Sequence, residues 1–269
     1  VEAVGTAVTR WRVGDRVAAI FAQRWLSNPM TTEDIRSTLG GPLEGMATRR
    51  RVLHEDGLVR VPSHLTDIEA ATLPCAALTA WSAMRVEGNV QAGDVVLILG
   101  TGGVSTFALQ LCGIIGARAI VTSSSDDKLD RARALGAWAT VNYRDEPDWS
   151  KAVRKLTDGR GVDHVIEVGG AGTLEHSIRS TRPGGQISLI GVLAGPADFN
   201  LTRVLMNNIR MQGVLVGHRA GFEAMNRAIE AHGLRPIVDR TFAFGDLPAA
   251  LDHLASGQHF GKLCIDVAA

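Results

Sequence analysis

The stretch VVLILGTGGVS, residues 95–105, sets five consecutive apolar residues directly before a group of three glycines. A strand without polar residues is typical of a parallel sheet that helices cover on both faces. Glycines after such a strand allow a tight turn and let a ligand approach the backbone, and the N–H groups of a helix beginning there attract anions. Because glycine-rich turns between strand and helix also occur without ligands, the stretch alone is a weak indication.

The surrounding sequence repeats the same alternation of strand and helix. Helix-like segments such as 126–135 and 149–156 separate apolar runs of strand length, which lie at 95–99, 119–122, 139–143, 164–168, 186–190 and 213–216. This alternation predicts an α/β fold with a doubly wound parallel sheet, as in dinucleotide-binding domains. In that context the motif is interpreted as a dinucleotide fingerprint, formed by Gly100, Gly102, Gly103, Val104 and Ser105.

The end of the second predicted strand indicates which dinucleotide binds. An NAD-preferring site has Asp or Glu there to bond the ribose hydroxyls, whereas this sequence has Ser123 and Ser124, followed by Lys128. Hydroxyls and one cation suit a 2′-phosphate, and a charged hydrogen bond from Lys128 would contribute about 1.5–3 kcal/mol. We therefore predict NADPH rather than NADH, with a solvent-facing helical lysine as the alternative interpretation. Asp126 and Asp127 are explained as first-turn helix residues.

The composition argues against several classes of partner. Lys plus Arg and Asp plus Glu number 28 each, and the densest basic cluster, residues 48–51, is interpreted as a solvated turn rather than a phosphate-binding patch. Neither an apolar run of membrane-spanning length nor a leader peptide is visible. Cys75, Cys112 and Cys264 stand singly, which is typical of a reducing compartment. We expect a cytoplasmic protein that binds neither nucleic acid nor membranes.

Both ends of the chain contain strand-like segments. Valines at positions 1, 4, 8, 13 and 17, interrupted by glycines, predict short strands joined by turns. A strand that starts at residue 1 is expected to pair with residues upstream, so we expect the chain to be incomplete at its N-terminus. The tail predicts a helix at 222–232, a strand at 240–244, a helix from Asp246 and a strand at 262–267. We expect this tail to pack against the N-terminal β region.

Several segments, in their order, resemble those of the medium-chain dehydrogenases/reductases, most closely the quinone-oxidoreductase-like branch often labelled NAD(P)-dependent alcohol dehydrogenase. The segments are VGDRV (13–17), AATLPCAALTAW (70–81), GDVVLILGTGGVS (93–105), KLDRARALGA (128–137), NYR (142–144), GRGVDHVIEVGG (159–170) and GGQISLIG (184–191). The resemblance covers essentially the whole chain. It implies a GroES-like catalytic domain, partial here, at 1–74 and 217–269, with a Rossmann domain at 75–216 inserted between its parts.

The resemblance also implies further contacts to the cofactor. Lys128 and Tyr143 match the pair that contacts the adenosine 2′-phosphate in NADPH-using quinone reductases, although an edge aromatic after a strand explains Tyr143 equally well. Thr79 matches a position near the nicotinamide ribose. Gly169, Ile190, Gly191 and Val192 match positions at the carboxyl ends of strands that line the cofactor crevice in the family. Val216 and Gly217 match the segment near the nicotinamide carboxamide.

Zinc is a separate question, because one branch of this family has a zinc-binding cysteine about where Cys75 stands, 25 residues before Gly100. One thiol cannot form a tetrahedral zinc site, which needs Cys or His partners, and the resemblance places these partners upstream of this sequence. The closely spaced cysteines of the family's structural-zinc lobe are absent from residues 18–74. We expect a zinc-independent protein in which Cys75 is a buried small residue.

These features predict an NAD(P)H-dependent oxidoreductase that transfers a hydride between NADPH and a small carbonyl, enal or quinone substrate. Two alternatives stay open, a zinc-dependent alcohol dehydrogenase and a non-catalytic dinucleotide-binding relative. No catalytic residue is identified, since neither a triad nor paired carboxylates are recognisable in the sequence. The resemblance further implies a homodimer joined through the last strand of the sheet, 213–216, because open sheet edges are usually covered.

Overall fold

The fold is that of a computed structural model, which describes residues 1–191, 195 and 200–268. The chain divides into two compact units. One is Thr79–Leu215, and the other is formed by Val1–Leu78 together with Val216–Ala269.

The strands, in chain order, are β1 (Val17–Ala19), β2 (Leu58–Arg60), β3 (Val95–Leu99), β4 (Arg118–Ser123), β5 (Ala139–Asn142), β6 (Val162–Glu167), β7 (Thr181–Leu189), β8 (Arg210–Gly213), β9 (Val238–Ala243) and β10 (Lys262–Asp266). The α-helices are α1 (Thr32–Ile35), α2 (Asp67–Ala70), α3 (Leu78–Trp81), α4 (Gly103–Ile115), α5 (Asp126–Ala134), α6 (Trp149–Leu156), α7 (Leu174–Ser180), α8 (Leu201–Met206), α9 (Arg219–His232) and α10 (Leu247–Ala255). Turns of π-helix flank α3 at Leu73–Ala77 and Ser82–Val86, and 3-10 turns lie at Glu55–Gly57, Gly170–Gly172 and Phe244–Asp246.

Six strands of the unit Thr79–Leu215 form one sheet in the order β5-β4-β3-β6-β7-β8, and every neighbouring pair is parallel. Counted from β3, this is the 3-2-1-4-5-6 order of dinucleotide-binding sheets. The strand order reverses between β3 and β6, and such sheets bind their ligands outside the carboxyl ends of the strands at that point. The predicted doubly wound α/β fold is confirmed.

The core of this unit lies around β3, all of whose residues are buried. Parallel strands are covered by helices on both faces, which is why this strand contains no polar residue. The helices α6 and α7 contribute to the core on one side of the sheet. Core residues from the strands and these helices include Leu97, Leu99, Ile120, Val141, Trp149, Val153, Val165, Ile178 and Ile187.

The helices α4 and α5 have clear local boundaries. α4 ends at Gly116, which adopts the left-handed φ of 83° that favours glycine. α5 is capped by the side chain of Ser125, which accepts a hydrogen bond from Lys128 N, and its first turn contains Asp126 and Asp127. Acidic residues in a first turn interact favourably with the helix dipole, so the explanation of the two aspartates as first-turn residues is confirmed.

The last strand of the sheet lies three residues earlier than predicted. The apolar run 213–216 predicted a strand there, but β8 spans Arg210–Gly213 and pairs with residues 186–189 of β7. Within the described residues β8 is an edge strand with a single neighbour, and its own residues are exposed or half-buried, so apolar content does not mark it. Val216 has a φ of 52°, which lies outside the β region.

The second unit combines both ends of the chain. β1 pairs antiparallel with β2, and β9 pairs in parallel with β10. α9 packs on β2, where Asn226 Nδ2 donates a hydrogen bond to Arg60 O at 2.8 Å. The predicted packing of the tail against the N-terminal region is therefore confirmed.

The strands predicted from the valines before residue 17 are wrong, because the structure has no strand within residues 1–16. Val4 and Val13 are exposed. Valine favours a strand mainly through packing on a half-buried sheet surface, and exposed valines in this segment have no such surface.

The described part of the chain contains no helix that is both long and apolar enough to cross a membrane. Cys112 and Cys264 are buried, and burial raises the pKa of the Cys112 thiol to about 12. Cys75 is exposed, contrary to the expectation of a buried residue. It lies in the π-helical turn Leu73–Ala77, whose buried positions are occupied by Leu73, Ala76 and Ala77 instead.

Candidate functional site

The glycine-rich loop joins the carboxyl end of β3 to the start of α4. Gly100 has a φ of 69°, which favours glycine, and turns the chain out of the strand. Gly102 is the residue that caps α4. Ser105 is buried, and its Oγ donates a hydrogen bond to Leu99 O at 2.7 Å. The serine in the last motif position therefore ties the first turn of the helix to the end of the strand.

Open space lies above this loop. A Cβ built on Gly100 or on Gly102 meets no atom within 4 Å. Gly102 has a φ of −77° and a ψ of −170°, an extended conformation that any residue adopts. The fold of the protein alone therefore does not require glycine at position 102. The N-terminus of the 13-residue helix α4 faces a place where a bulky anion can reach the backbone.

A second part of the site lies where β4 ends. Ser123 is buried, its Oγ accepts a hydrogen bond from Ser125 N at 3.3 Å, and its carbonyl accepts one from Tyr143 N at 3.1 Å. Ser124 and Lys128 are half-buried. The hydroxyl of Ser123 is thus engaged within the loop, and Ser124 is the more accessible of the two predicted serines.

The loop after β5 lies beside the start of α5. Ser123 and Asn142 are register partners at the ends of β4 and β5. Asn142 Nδ2 donates a hydrogen bond to Asp126 Oδ1 at 2.9 Å, and Asn142 Oδ1 accepts one from Arg144 N at 3.0 Å. These bonds flank Tyr143, whose side chain is 42% exposed. The structure therefore brings the segments that carry Ser124, Lys128 and Tyr143 to one edge of the sheet.

The other side of the crevice is formed by the loops after β6 and β7. Ile190 N and Gly191 N donate hydrogen bonds to Glu167 O at 2.9 and 3.0 Å. A Cβ on Gly191 would lie 2.4 Å from Val168 O, so the two loops are in close backbone contact. The predicted residues Gly169, Ile190 and Gly191 are thereby brought together. Val192, also predicted, lies outside the described residues.

Glu167, which the sequence analysis did not single out, organises this side. Its side chain is fully buried at the end of β6. Oε1 accepts hydrogen bonds from Gly169 N at 2.8 Å, Gly170 N at 3.0 Å and Thr173 Oγ1 at 2.6 Å, and Oε2 accepts one from Ser177 Oγ. An acidic residue next to last in the otherwise largely apolar run HVIEV, residues 164–168, is the sequence feature that marks it.

The remaining predicted positions are Thr79, Val216 and Gly217. Thr79 lies in α3 and is buried. Val216 and Gly217 belong to the other unit and are buried there. A φ of 52° at a β-branched residue such as Val216 is an uncommon conformation. The cofactor contacts of these three residues stay predictions.

The buried histidine of the sheet is a structural residue. His164 Nε2 lies 2.9 Å from Ser188 Oγ, which in turn donates a hydrogen bond to Ala83 O at 3.2 Å. Burial lowers the pKa of His164 to about 4, and the nearby Arg210 adds to the shift. The imidazole is therefore neutral near pH 7, and it joins β6 and β7 to the helical turn that contains Ala83.

The donor groups of the described residues do not form a metal site. No cluster of three or more His, Cys, Asp or Glu side chains within 1–191, 195 and 200–268 is arranged to hold a metal ion. Cys75 is the position that matches a zinc ligand in part of the family, and a single thiol leaves a tetrahedral site incomplete. The residues described therefore do not fit zinc by themselves.

Comparisons with known proteins agree with this geometry. A family model described as zinc-binding dehydrogenase matches residues 103–231. A zinc-type alcohol dehydrogenase-like protein of Schizosaccharomyces pombe is 41% identical, over 99% of this chain and 79% of that protein. A crystal structure of a putative alcohol dehydrogenase from Sinorhizobium meliloti 1021 is 44% identical with a TM-score of 0.92, covering 98% of this chain and 78% of that one. A quinone oxidoreductase from Pseudomonas syringae pv. tomato DC3000 is 29% identical with a TM-score of 0.81, over 98% and 78% of the two chains.

Proposed function

Because the chain belongs to the medium-chain dehydrogenase/reductase superfamily, we propose that it prefers NADPH and reduces a carbonyl, an enal or a quinone without zinc. Membership establishes that it is an NAD(P)-dependent oxidoreductase. The relatives named above include alcohol dehydrogenases and a quinone oxidoreductase, which supports this range of substrates.

The observation that carries the proposal is the unfilled space at Gly102. Glycine stands there although neither its backbone conformation nor a neighbouring atom requires it. A close approach of a pyrophosphate to the backbone explains the glycine, because a side chain would occupy the same space. The N–H groups at the start of α4 then donate to the phosphate oxygens.

Bound NADPH supplies a hydride from C4 of its nicotinamide. The residues of this chain bind and orient the cofactor. The loop from Gly100 to Gly103 holds the pyrophosphate, Ser124 and Lys128 hold the adenosine 2′-phosphate, and the loops after β6 and β7 line the nicotinamide half of the crevice. No described side chain is assigned as a proton donor.

The preference for NADPH is supported by the groups at the end of β4. Positions 123 and 124 are serines rather than acidic residues, so a 2′-phosphate is not repelled by a carboxylate at either position. The cap at Ser125 places Lys128 in the first turn of α5, half-buried beside the same loop. An ammonium group in this place donates a charge-assisted hydrogen bond to the phosphate, whereas NADH has no group to receive it.

Substitution of Lys128 tests this preference. We expect the wild type to bind NADPH more tightly than NADH, and Lys128→Ala to weaken NADPH binding about 10- to 100-fold because one charged hydrogen bond is lost. NADH affinity should change by less than about twofold. Fluorescence titration of both dinucleotides measures the four dissociation constants. Lys155→Ala, which removes an exposed lysine from α6, is the matched control. Equal affinities of the wild type for the two dinucleotides would contradict the proposal.

The reaction class is tested with a panel of quinones, enals, aldehydes, ketones and alcohols. Oxidation of NADPH by a quinone, enal or carbonyl compound, unchanged by a chelator, supports the proposal. Alcohol oxidation that disappears with the chelator and returns with zinc would favour the zinc-dependent alcohol dehydrogenase, which the names of the zinc-type relatives suggest. Tight binding of NADPH without turnover of any compound in the panel would contradict the proposed range of substrates.

We also propose that two copies associate through the edge of the Rossmann sheet. The outer side of β8 pairs with no strand among the described residues, and the preceding helix α8 exposes Leu201, Leu205 and Met206, the last two at 76%. Open sheet edges and exposed apolar side chains are usually covered, and the apolar side chains of α8 are the stronger indication here because β8 is short.

A charged variant of α8 tests this association. We expect Leu205→Glu combined with Met206→Glu to convert a dimer into a monomer, because two charges would be buried without partners in the interface. Light scattering after size exclusion measures the mass. Leu251→Glu, at an exposed position of α10, is the control and should leave the mass unchanged. A monomeric wild type, or a double variant that remains dimeric, would contradict this mode of association.

A further inference from the structure

The carboxylate of Glu167 has no part in the binding scheme above, although it is fully buried beside the crevice. Burial of a carboxylate is unfavourable unless hydrogen bonds replace its water. Three of its four donors, Gly169 N, Gly170 N and Thr173 Oγ1, come from the loop that directly follows β6, and all three meet the same oxygen. One side-chain oxygen therefore sets the orientation of two consecutive peptide groups in that loop.

The position of Glu167 in the sheet connects this loop to the ligand. β6 is the neighbour of β3 across the point where the strand order reverses, and the crevice of such sheets opens there. The loop after β3 carries Gly100 and Gly102, so the loop held by Glu167 forms the opposite wall. The two halves of these sheets each bind one mononucleotide, and β6 begins the half that takes the nicotinamide nucleotide.

Glu167 also reaches the next loop through its backbone. Its carbonyl accepts hydrogen bonds from Ile190 N and Gly191 N. Gly191 in turn lies so close to Val168 O and Gly170 N that no Cβ fits between them. The loop after β7 therefore packs backbone to backbone against the loop whose peptide groups the Glu167 side chain holds.

We propose that Glu167 is a positioning residue for the nicotinamide half of the cofactor. It holds the peptide groups of Gly169 and Gly170, and through them the adjacent loop at Gly191, in the orientation that receives the cofactor. It does not touch the reacting atoms. This role rests on the proposed binding of a nicotinamide dinucleotide to this sheet.

A purely structural role is the competing explanation, because Oε2 also anchors α7 through Ser177. The two roles act through different oxygens. Thr173→Val removes one loop contact to Oε1 and also the hydrogen bond from Thr173 Oγ1 to Gly170 O at 3.2 Å, whereas the Thr173 side chain makes no capping bond to α7. Ser177→Ala removes the contact to Oε2 and leaves the loop contacts in place. These substitutions separate the loop from the helix.

Glu167→Gln preserves the shape of the side chain and removes its charge. The amide nitrogen can face Ser177, whose hydroxyl accepts as well as donates. The remaining oxygen then meets the three loop donors without charge, and neutral hydrogen bonds are roughly half as strong as charge-assisted ones. We expect the loop to loosen in this variant while the helix contact is kept.

The experiment measures the NADPH dissociation constant by fluorescence, KM for NADPH and kcat, and the unfolding temperature, for wild type and the three variants. We expect Glu167→Gln to raise the dissociation constant and KM about tenfold, since charge-assisted bonds are replaced by neutral ones, with a smaller change in kcat. Thr173→Val should also raise the dissociation constant and KM for NADPH. Ser177→Ala should lower the unfolding temperature yet leave the dissociation constant within about twofold.

Wild-type affinity for NADPH in a folded Glu167→Gln variant would overturn the positioning role. The role would also be overturned if NADPH affinity fell in proportion to the unfolding temperature in all three variants, because the loss of binding would then reflect the loss of stability. If Glu167→Gln does not fold, Thr173→Val decides, and an unchanged dissociation constant in that variant overturns the role. Failure of the wild type to bind either NADPH or NADH would instead overturn the proposed function on which this role rests.

Discussion

A Gly102→Val variant is expected to fold like the wild type and to bind NADPH at least about 100-fold more weakly, because each lost hydrogen bond to a charged phosphate contributes about 1.5–3 kcal/mol. The valine side chain would enter the open space above the loop, where a Cβ meets no protein atom within 4 Å. The pyrophosphate needs the same space to reach the N–H groups of α4. The variant therefore separates ligand binding from folding.

Any loss of stability in the Gly102→Val variant is expected to arise at the start of α4. Gly102 caps α4 in an extended conformation, which valine adopts without strain. Valine is a poor N-cap residue, so the free energy of unfolding should fall by no more than about 1–2 kcal/mol. Chemical denaturation measures this change, and fluorescence titration measures the affinity for NADPH.

Gly113 provides a control in the same helix. It is an exposed residue of α4, and a Cβ there also meets no atom within 4 Å. Gly113→Ala should raise the free energy of unfolding by about 0.5–1 kcal/mol, as expected for alanine in a helix interior, and leave NADPH binding unchanged. If Gly102→Val binds NADPH like the wild type, the pyrophosphate does not lie over this loop and the proposed site is wrong.

Gly191→Ala is expected to destabilise the protein and weaken NADPH binding together. Its Cβ would lie 2.4 Å from Val168 O and 2.7 Å from Gly170 N. Both are backbone atoms, so no side-chain rotation relieves the contact and the two loops must separate. Such overpacking lowers the free energy of unfolding by about 1–3 kcal/mol. The affinity for NADPH should fall about tenfold or more, if the displaced loops lose one hydrogen bond to the cofactor.

Gly172 is the matched control for this substitution. It is exposed in the neighbouring 3-10 turn, and a Cβ there meets nothing within 4 Å. Gly172→Ala should change the free energy of unfolding by less than about 0.5 kcal/mol and keep the affinity for NADPH. A Gly191→Ala variant with wild-type stability and affinity would show that the loops after β6 and β7 separate freely, and that their close contact does not shape the crevice.

The elements that the sequence predicted correctly are those whose surroundings are uniform along the whole element. β3 is apolar because helices cover both of its faces, and that requirement is visible in VVLIL without further information. α5 and α6 are marked by local sequence, and α5 also by its cap at Ser125; both lie where predicted. The fingerprint glycines follow from a turn and a close approach, which are also local requirements.

Elements at an edge or in a loop were predicted less well. In the part of the chain that the structure describes, β8 pairs on one side only. A polar segment therefore serves as the strand, and the apolar run beyond it does not. The valines near residue 1 predicted strands, but this segment has no half-buried sheet surface on which strands could pack. Cys75 was expected to be buried and is exposed, because which side of the turn Leu73–Ala77 is covered depends on packing.

The sequence by itself determined the alternation of strands and helices in the six-stranded sheet, the glycine loop and the class of cofactor, because periodicity, turns and anion-binding helix starts are encoded by residues close together in the chain. Only the tertiary structure showed that the space beside Gly102 is open and that the carboxylate of Glu167 is buried. It alone brought the loops after β6 and β7 into backbone contact at Gly191. These properties depend on atoms from segments far apart in the chain, and no local pattern reports the distances between them.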